Sequence, residues 1–423
     1  MSGSSSKPVR IALIGVGGFG NDHLNTIRQL QDQGLTSLLS VADPALERYP
    51  ETILDLQASG VRLYEDVSQM LAEESALEAV CIAAPIPCHE EIAQLCLDRG
   101  VFVYLEKPPV PLYSQLLRLT QQDSKRRIVA GFQMIESTWS QLVKTWITSG
   151  RLGRISEIRG CACWPRYDRY YTRSSWAGKL QLGNRAVFDG PATNALSHLI
   201  HAIMYFGASD DMYFGVPNVV QGEMYRARRI EGYDTTSLRG TLTSGTHFFA
   251  ALTHATESIF PFQIEIIGSR GWARISQDGG LVESSEGTFD TMETFEDTFR
   301  RSIVSFLRYT RGEIQRPATL LSETRGYVLT TNGLLLSSGK VHEIDSAWVQ
   351  VCGAQNDRVF SVDGLFQAVK DSVRSPLLFS ERNFPWAVPT LSVSVEDPNE
   401  HWISKVEALL RSAVKRPSLL ERI

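Results

Sequence analysis

Ten residues near the N-terminus, Ile11 to Gly20, constrain the fold of this chain more than any other stretch. They read Ile-Ala-Leu-Ile-Gly-Val-Gly-Gly-Phe-Gly. An apolar run leading into Gly15, Gly17 and Gly20 has the order that a buried parallel strand, a tight turn and a helix N-terminus require. Gly15 allows the turn, Gly17 lets backbone approach an anion and Gly20 lets helix pack on strand. The flanking sequence supplies the context this motif needs. Leu24, Ile27 and Leu30 form a helical stripe, Leu38 to Ala42 reads as a second strand, and Asp43 closes it. Gly15, Gly17, Gly18, Phe19, Gly20 and Asp43 are therefore candidate contacts to a dinucleotide. An acid at that strand end accepts hydrogen bonds from ribose hydroxyls and repels a 2′-phosphate, which favours NAD, whereas Arg48 keeps NADP open. Asp43 before Pro44 also fits an ordinary turn start.

At 423 residues the chain exceeds one compact core and calls for two or three domains. Its 43% hydrophobic and 21% charged content with a net charge of −5 fit a globular protein and argue against nucleic-acid binding. Six cysteines without CxxC spacing suggest reduced thiols in a cytoplasmic setting. No apolar window is long enough to span a membrane, and the polar leader lacks a signal-peptide core.

Strand and helix signals alternate up to Gly131. Strands are expected at Val61 to Tyr64, Ala79 to Ala84, Val101 to Leu105 and Ile128 to Gly131. Helices are expected around Val67 to Leu71 and Ile92 to Leu97. This βα spacing predicts a doubly wound parallel sheet over residues 8–131, with ligand at the carboxyl ends of its strands. Ala84, Pro85 and His89, and Glu106, Lys107 and Pro108, fall on that edge.

A second, α+β domain with an open, mostly antiparallel sheet is expected over 132–338. Strand-like runs at Ile155 to Trp164, Leu238 to Leu242, Phe248 to Thr253, Phe262 to Ile267 and Trp272 to Ile275 carry that expectation. Helices are expected at Trp139 to Thr148, Thr193 to Tyr205, Phe295 to Tyr309 and Leu320 to Leu336, the last two closing this domain. Residues 339–423 read as a C-terminal extension packing on what precedes it, with helices at Leu365 to Val373 and His401 to Val414.

Three groups of residues could carry chemistry. Lys107 could hydrogen-bond a substrate hydroxyl, or be a surface lysine in a turn. Asn194 and His198 lie four apart on the expected helix, so the imidazole could take a hydroxyl proton while Asn194 fixes its tautomer; a satisfied core histidine is the plain alternative. His198 and His201 lack further ligands at metal-site spacing, so no metal is expected. Trp164, Arg166, Arg169, Tyr170, Trp176 and Lys179 combine aromatic faces with cations. Such a segment suits a sugar pocket, with its cations favouring an anionic sugar, and equally suits a subunit interface.

The glycine loop, Asp43, the Pro85-to-His89 segment, Glu106-Lys107-Pro108 and the Asn194-to-His198 segment together resemble the glucose–fructose oxidoreductase, inositol dehydrogenase and rhizopine catabolism (Gfo/Idh/MocA) family over roughly residues 9 to 338. The resemblance implies a Rossmann domain plus an α/β domain whose open sheet often forms the oligomer contact, hence a dimer or tetramer. It also implies NAD(P)-dependent oxidation or reduction of sugar or cyclitol hydroxyls, with Lys107 and His198 catalytic and Asn194 beside them. Two departures stand out: the family's helix usually carries an acid where Asn194 stands, and Ile86 replaces a common Asn. Redox-assisted glycoside cleavage or epimerisation with tightly held NAD, and a non-catalytic dinucleotide sensor, remain alternatives to a dehydrogenase.

Overall fold

The structure is a computed structural model that describes residues 7–208, 213–276, 281–290, 293–354 and 357–414. Residues 1–6 of the polar leader and 415–423 of the C-terminal extension lie outside the described residues. The chain divides into two compact units. The first comprises residues 1–110, 115–136 and 295–324, and the second comprises 111–114, 137–294 and 325–423.

The first unit is built on six parallel strands: β1 (Val9–Ile14), β2 (Thr36–Ala42), β3 (Arg62–Tyr64), β4 (Ala79–Ile82), β5 (Phe102–Glu106) and β6 (Ile128–Gly131). Their order is 3-2-1-4-5-6, so the chain reverses direction across the sheet between β1 and β4. Connecting helices are α1 (Phe19–Asp32), α2 (Pro50–Ala58), α3 (Val67–Glu73), α4 (His89–Arg99) and α5 (Tyr113–Gln122). All four residues of β4 and five of six in β1 are buried, as apolar strands covered on both faces must be. The α1 stripe Leu24, Ile27 and Leu30 is buried against them. α2 and α5 carry no sequence expectation above, and the strand ending at Ile82 is shorter than the expected run to Ala84.

The helix Phe295–Thr310 corrects the expected domain boundary. Its Phe299, Ile303, Phe306 and Leu307 share one core with Val9, Ile11 and Tyr104, and Tyr104 Oη lies 2.9 Å from Ser302 Oγ. A helix expected to close the second domain therefore completes the first.

The second unit holds a ten-stranded sheet centred on β7 (Ile155–Cys163). A short pair, β8 (Gln181–Leu182) and β9 (Arg185–Ala186), stands apart from it. The sheet continues through β10 (Pro217–Arg226), β11 (Thr235–Leu242), β12 (His247–Thr253), β13 (Phe260–Gly268), β14 (Trp272–Ser276), β15 (Leu281–Ser284) and β16 (Gly287–Asp290). Eight of its ten strands run in the order 16-15-14-13-7-12-11-10, and among these β7 and β12 are parallel and the other neighbours antiparallel. The helices Ser197–Phe206 and Arg325–Ser338 pack on one face, where Leu199 meets Gly160 and Leu334 meets Gly222. The helix expected from Leu320 begins at Arg325, after a 3₁₀ turn over Leu321–Thr324.

The C-terminal extension is part of this second unit. β17 (His342–Glu343) and β20 (Val393–Ser394) both pair with β10, while β18 (Val349–Ala354) and β19 (Asp357–Val362) form a hairpin. Between them, Leu365, Val369, Val373, Leu378, Phe379 and Trp386 form one core with Cys161, Cys163, Tyr225, Phe249 and Ala251 from β7, β10 and β12. Arg239 clamps Glu381 through two contacts of 2.8 and 3.0 Å, and Arg159 donates to the Val373 carbonyl at 2.8 Å. The extension thus supplies the apolar cover for part of that sheet face. Phe379 is fully buried, so Phe379→Ala should cost ~3–5 kcal/mol of stability. Urea denaturation followed by tryptophan fluorescence tests this, since the Trp386 ring lies 5.9 Å away; an unchanged midpoint would mean that the extension is peripheral.

Candidate functional site

Two groups of residues stand out, one in each unit. In the first unit the β1-to-α1 turn is fixed by backbone geometry. Gly15 has φ 88°, which disfavours a side chain, and its N–H donates to the Ala42 carbonyl at 2.8 Å. A Cβ on Gly20 would sit 2.2 Å from the Gly15 carbonyl oxygen, so only glycine lets α1 start so close to the strand. The Asp43 carboxylate accepts the Val16 N–H at 3.0 Å and the Ala45 N–H at 2.9 Å. It therefore braces the glycine turn. Each carboxylate oxygen has a second lone pair for a ribose hydroxyl.

The turn holds two surprises. The space a Cβ on Gly17 would fill is taken by the Tyr49 hydroxyl, 2.2 Å from that position, so Tyr49 stands at the cradle, a neighbour that sequence reasoning missed. Phe19 turns its ring toward Phe299, Phe295 and His23, so its side chain packs and its backbone is what faces an anion. These features fit a dinucleotide: a Cβ-free cradle, helix N–H groups and a carboxylate at the second strand end.

Along the same strand edge, His89 is 1% exposed, and its ring nitrogens lie 2.8 Å from the Ala84 carbonyl oxygen and 3.0 Å from that of Pro108. Burial lowers its pKa below the ordinary histidine value, against those two carbonyls, which raise it. His89 thus ties the loop after β4 to the loop after β5, which is how it shapes the edge where Ala84, Pro85 and Lys107 stand. The Lys107–Pro108 bond is cis. Glu106 is 5% exposed; one carboxylate oxygen lies 2.9 Å from His23 Nε2 and the other accepts the Lys107 N–H at 3.1 Å. His23, fully buried on α1, was not anticipated because it stands within an apolar helical stripe.

In the second unit, Asn194 lies in a π-type turn, Pro191–Ala195, and His198 in the first turn of the following helix, with Leu196 breaking the helical path between them. The expectation of one regular helix from Thr193 is corrected accordingly. The Asn194 amide donates to Asp189 Oδ1 at 2.8 Å and to Tyr170 Oη at 3.2 Å, while Asp189 Oδ2 accepts the Gly178 N–H at 2.6 Å. Because a carboxylate only accepts, the amide nitrogen must be the end that faces it, so the orientation of Asn194 is fixed. Buried His201, whose pKa desolvation lowers to about 3, is a neutral core residue, and no His, Cys, Asp and Glu grouping among the described residues could hold a metal.

The aromatic and basic segment sorts into two sets. Trp164 continues the β7 ladder by donating to the Thr253 carbonyl at 2.9 Å. The Arg166 guanidinium lies over the rings of Trp164 and Tyr170, and that of Arg173 over the rings of Tyr170 and Trp176. Arg169 goes elsewhere. It ion-pairs with Asp357 at 2.7 Å at the start of β19 and is largely exposed, so it is not brought together with Arg166 and Tyr170.

Comparison with known proteins bears on both units. Residues 9–131 match the Gfo/Idh/MocA model, described as an oxidoreductase family with an NAD-binding Rossmann fold. Inositol 2-dehydrogenase from Rhodococcus erythropolis is 32% identical over 288 residues, covering 67% of this chain and 76% of that protein. The chain belongs to this family. Inositol 2-dehydrogenase from Streptomyces avermitilis is 34% identical over 152 residues, covering 35% of this chain and 43% of that protein. The chain's match thus spans about half or less of the length of the first curated relatives. In fold it is similar to the WlbA dehydrogenase from Bordetella pertussis, crystallised with NADH and UDP-GlcNAcA: TM-score 0.65, 22% identity, 78% of this chain and 97% of that one. It is likewise similar to myo-inositol 2-dehydrogenase from Lactobacillus plantarum, with TM-score 0.61, 18% identity, and coverage of 78% of this chain and 97% of that one. No helix among the described residues is long and apolar enough to cross a membrane.

Asp189 accounts for an amide, where an acid was the expectation, at position 194. An acid at 194 would set two carboxylates at hydrogen-bond distance, and one would have to take up a proton. Asn194→Asp should therefore lose ~1–3 kcal/mol of stability, and adding Asp189→Asn should recover most of it. Thermal denaturation of the two single variants and the double variant decides; additive losses would show that the pair is not coupled.

Asp168 fastens the same segment to the C-terminal hairpin. It pairs with Arg228 and accepts Arg358 Nε at 2.8 Å and the Arg358 N–H at 3.0 Å. Burial works against its ionisation, but the hydrogen bonds from Arg358 and Arg228 outweigh it and bring its pKa down to about 2. A depressed carboxyl pKa stabilises the fold above the unfolded value near ~3.9, and that contribution is lost as pH falls through about 2. Between pH 4 and 2 the stability of Asp168→Asn should accordingly fall less steeply than that of the unaltered chain; parallel curves would contradict the assignment.

Proposed function

We propose that this chain is an NAD-dependent dehydrogenase that oxidises a secondary hydroxyl of a sugar or cyclitol. The observation that carries the reading is the coupling of a complete dinucleotide turn to Glu106-Lys107-Pro108 at the end of a central strand of the same sheet. The inositol 2-dehydrogenase relatives support the substrate class.

The turn at Gly15 to Gly20 and the start of α1 would hold the pyrophosphate, and Asp43 would hold the adenosine ribose. Bound NAD supplies the hydride acceptor. The chain's residues do the rest. Lys107 donates a hydrogen bond to the reacting hydroxyl oxygen, which eases loss of its proton. His198 takes that proton as the carbinol hydrogen departs, leaving a carbonyl. Asn194, held by Asp189 and Tyr170, acts beside His198 as a positioning residue.

Lys107→Ala and His198→Ala should each lower kcat by ~10²-fold or more while leaving NAD affinity within about twofold. The readout is NADH formation across a panel of sugars and cyclitols, with NAD binding followed by calorimetry. Full turnover in either variant removes that residue from the proton path, and NAD binding without turnover of any panel compound refutes the dehydrogenase reading.

A further inference from the structure

Arg166 and Arg173 differ from the other arginines around them. Arg169 is paired with Asp357, and Arg228 and Arg358 are paired with Asp168. No carboxylate pairs with Arg166 or Arg173 among the described residues. Both guanidiniums nevertheless lie over a single ring, that of Tyr170, at 4.8 and 4.1 Å from its centroid. Two cations drawn to one ring repel each other, and although Asp189 stands beyond Asn194 on the hydroxyl side of that ring, it pairs with neither, so an anion placed between them would relieve the repulsion.

A third group completes the arrangement. His254 is 4% exposed, its ring lies 6.2 Å from that of Tyr170, and its Nε2 is buried without a hydrogen-bond partner. Its Nδ1 lies 2.8 Å from the Trp164 carbonyl oxygen, so that nitrogen carries the proton. Burial, with Arg166 and Arg173 adding to it, holds the histidine near a pKa of about 3, so the ring is neutral at ordinary pH. Nε2 is then a bare acceptor awaiting a donor. The Nε–H of Arg166 is likewise buried and without a partner. Buried polar atoms of this kind are costly unless a ligand satisfies them.

We propose that Arg166, Arg173 and His254 form an anion subsite, and that the substrate is a polyhydroxylated carboxylic acid, its carboxylate held by the two guanidiniums and a neighbouring hydroxyl donating to His254 Nε2. The charged group of a phosphate monoester dianion carries no donor, and its nearest sugar hydroxyl stands further from the charge than in a hydroxy acid, whose carboxylate and neighbouring hydroxyl bring charge and donor close together. The subsite adjoins the site of the proposed reaction, because Tyr170 Oη also accepts the Asn194 amide. The acid as substrate rests on the dehydrogenase reading; the subsite as a binding site does not.

Equilibrium binding to the full-length chain saturated with NADH, where no oxidation can proceed, tests the subsite directly. The probes are D-glucuronate, D-galacturonate and D-gluconate, with D-glucose and myo-inositol as uncharged controls and D-glucose 6-phosphate as the phosphate control. At least one acid should bind tenfold or more tighter than both uncharged controls. Arg166→Gln and Arg173→Gln should each weaken that acid at least tenfold and leave NADH affinity within twofold. Arg173 is exposed, so its replacement leaves the fold intact. Equal binding of acids and uncharged controls, tighter binding of the phosphate, or acid binding unchanged in both variants would each overturn the proposal. Arginine-dependent acid binding with no NADH formed from any probe in the NAD-loaded chain would uphold the subsite and overturn the dehydrogenase reading instead.

Discussion

A buried carboxylate at the end of a central strand must be answered by something close by, and in this fold much of the first unit is arranged around that answer. Glu106 stands at the last position of β5, where burial removes the water that would solvate its charge. His23 reaches it from α1 at 2.9 Å, and the Lys107 N–H donates to its other oxygen. Removing one member leaves the other a buried polar group without that partner, which costs ~1–3 kcal/mol. The pair also fixes a distance: α1, which begins at the glycine turn, is held to the strand from which Lys107 projects. Phe19, Tyr104 and Phe299 wall the imidazole, so the helix Phe295–Thr310 helps to cover this pair.

That dependence explains what could be read in the sequence and what could not. The glycine turn was legible because its requirements are local: a positive φ at Gly15 and no room for a side chain at Gly20 follow from neighbours in the chain. The parallel strands were legible because burial on both faces leaves continuous apolar runs. His23 was hidden because it occupies a stripe position where periodicity expects an apolar side chain, and its partner lies 83 residues away. Tyr49 was hidden for the same reason, since nothing in its own surroundings points back to Gly17. The helix at Phe295 looked like a neighbour of what precedes it, and only tertiary packing decides otherwise.

The second unit shows the same division on a larger scale. Its central strands announced themselves by β-branched and aromatic runs, but the cover of one sheet face did not. Phe379 and Trp386 come from a loop-rich stretch with weak periodicity, so their membership of the β7–β12 core depends on contacts more than 100 residues distant in sequence. Asn194 is the clearest instance. Read from the sequence alone it is an amide where an acid was expected, whereas the structure sets Asp189, five residues earlier, beside it and makes Asn194 its donor. A reading position by position cannot detect such a partnership, because the acid occupies a different position.

The charge distribution around the Trp164-to-Lys179 segment follows from the C-terminal extension. β19 brings Asp357 to Arg169 and brings Arg358 to Asp168, and Asp168 also engages Arg228. Each of these contacts consumes a charge that the segment would otherwise present. Asp168 is the consequential one: placed near Arg166 or Arg173 it would have neutralised one of them, but two arginines from outside the segment hold it instead. The hairpin thus acts as a sink for the segment's acid and for one of its cations, and the charge left over is positive and gathered on Tyr170. Cationic character at this place therefore has two sources: the segment's own four basic residues against one acid, and the pairing of that acid with a residue 190 positions away, which keeps it from Arg166 and Arg173.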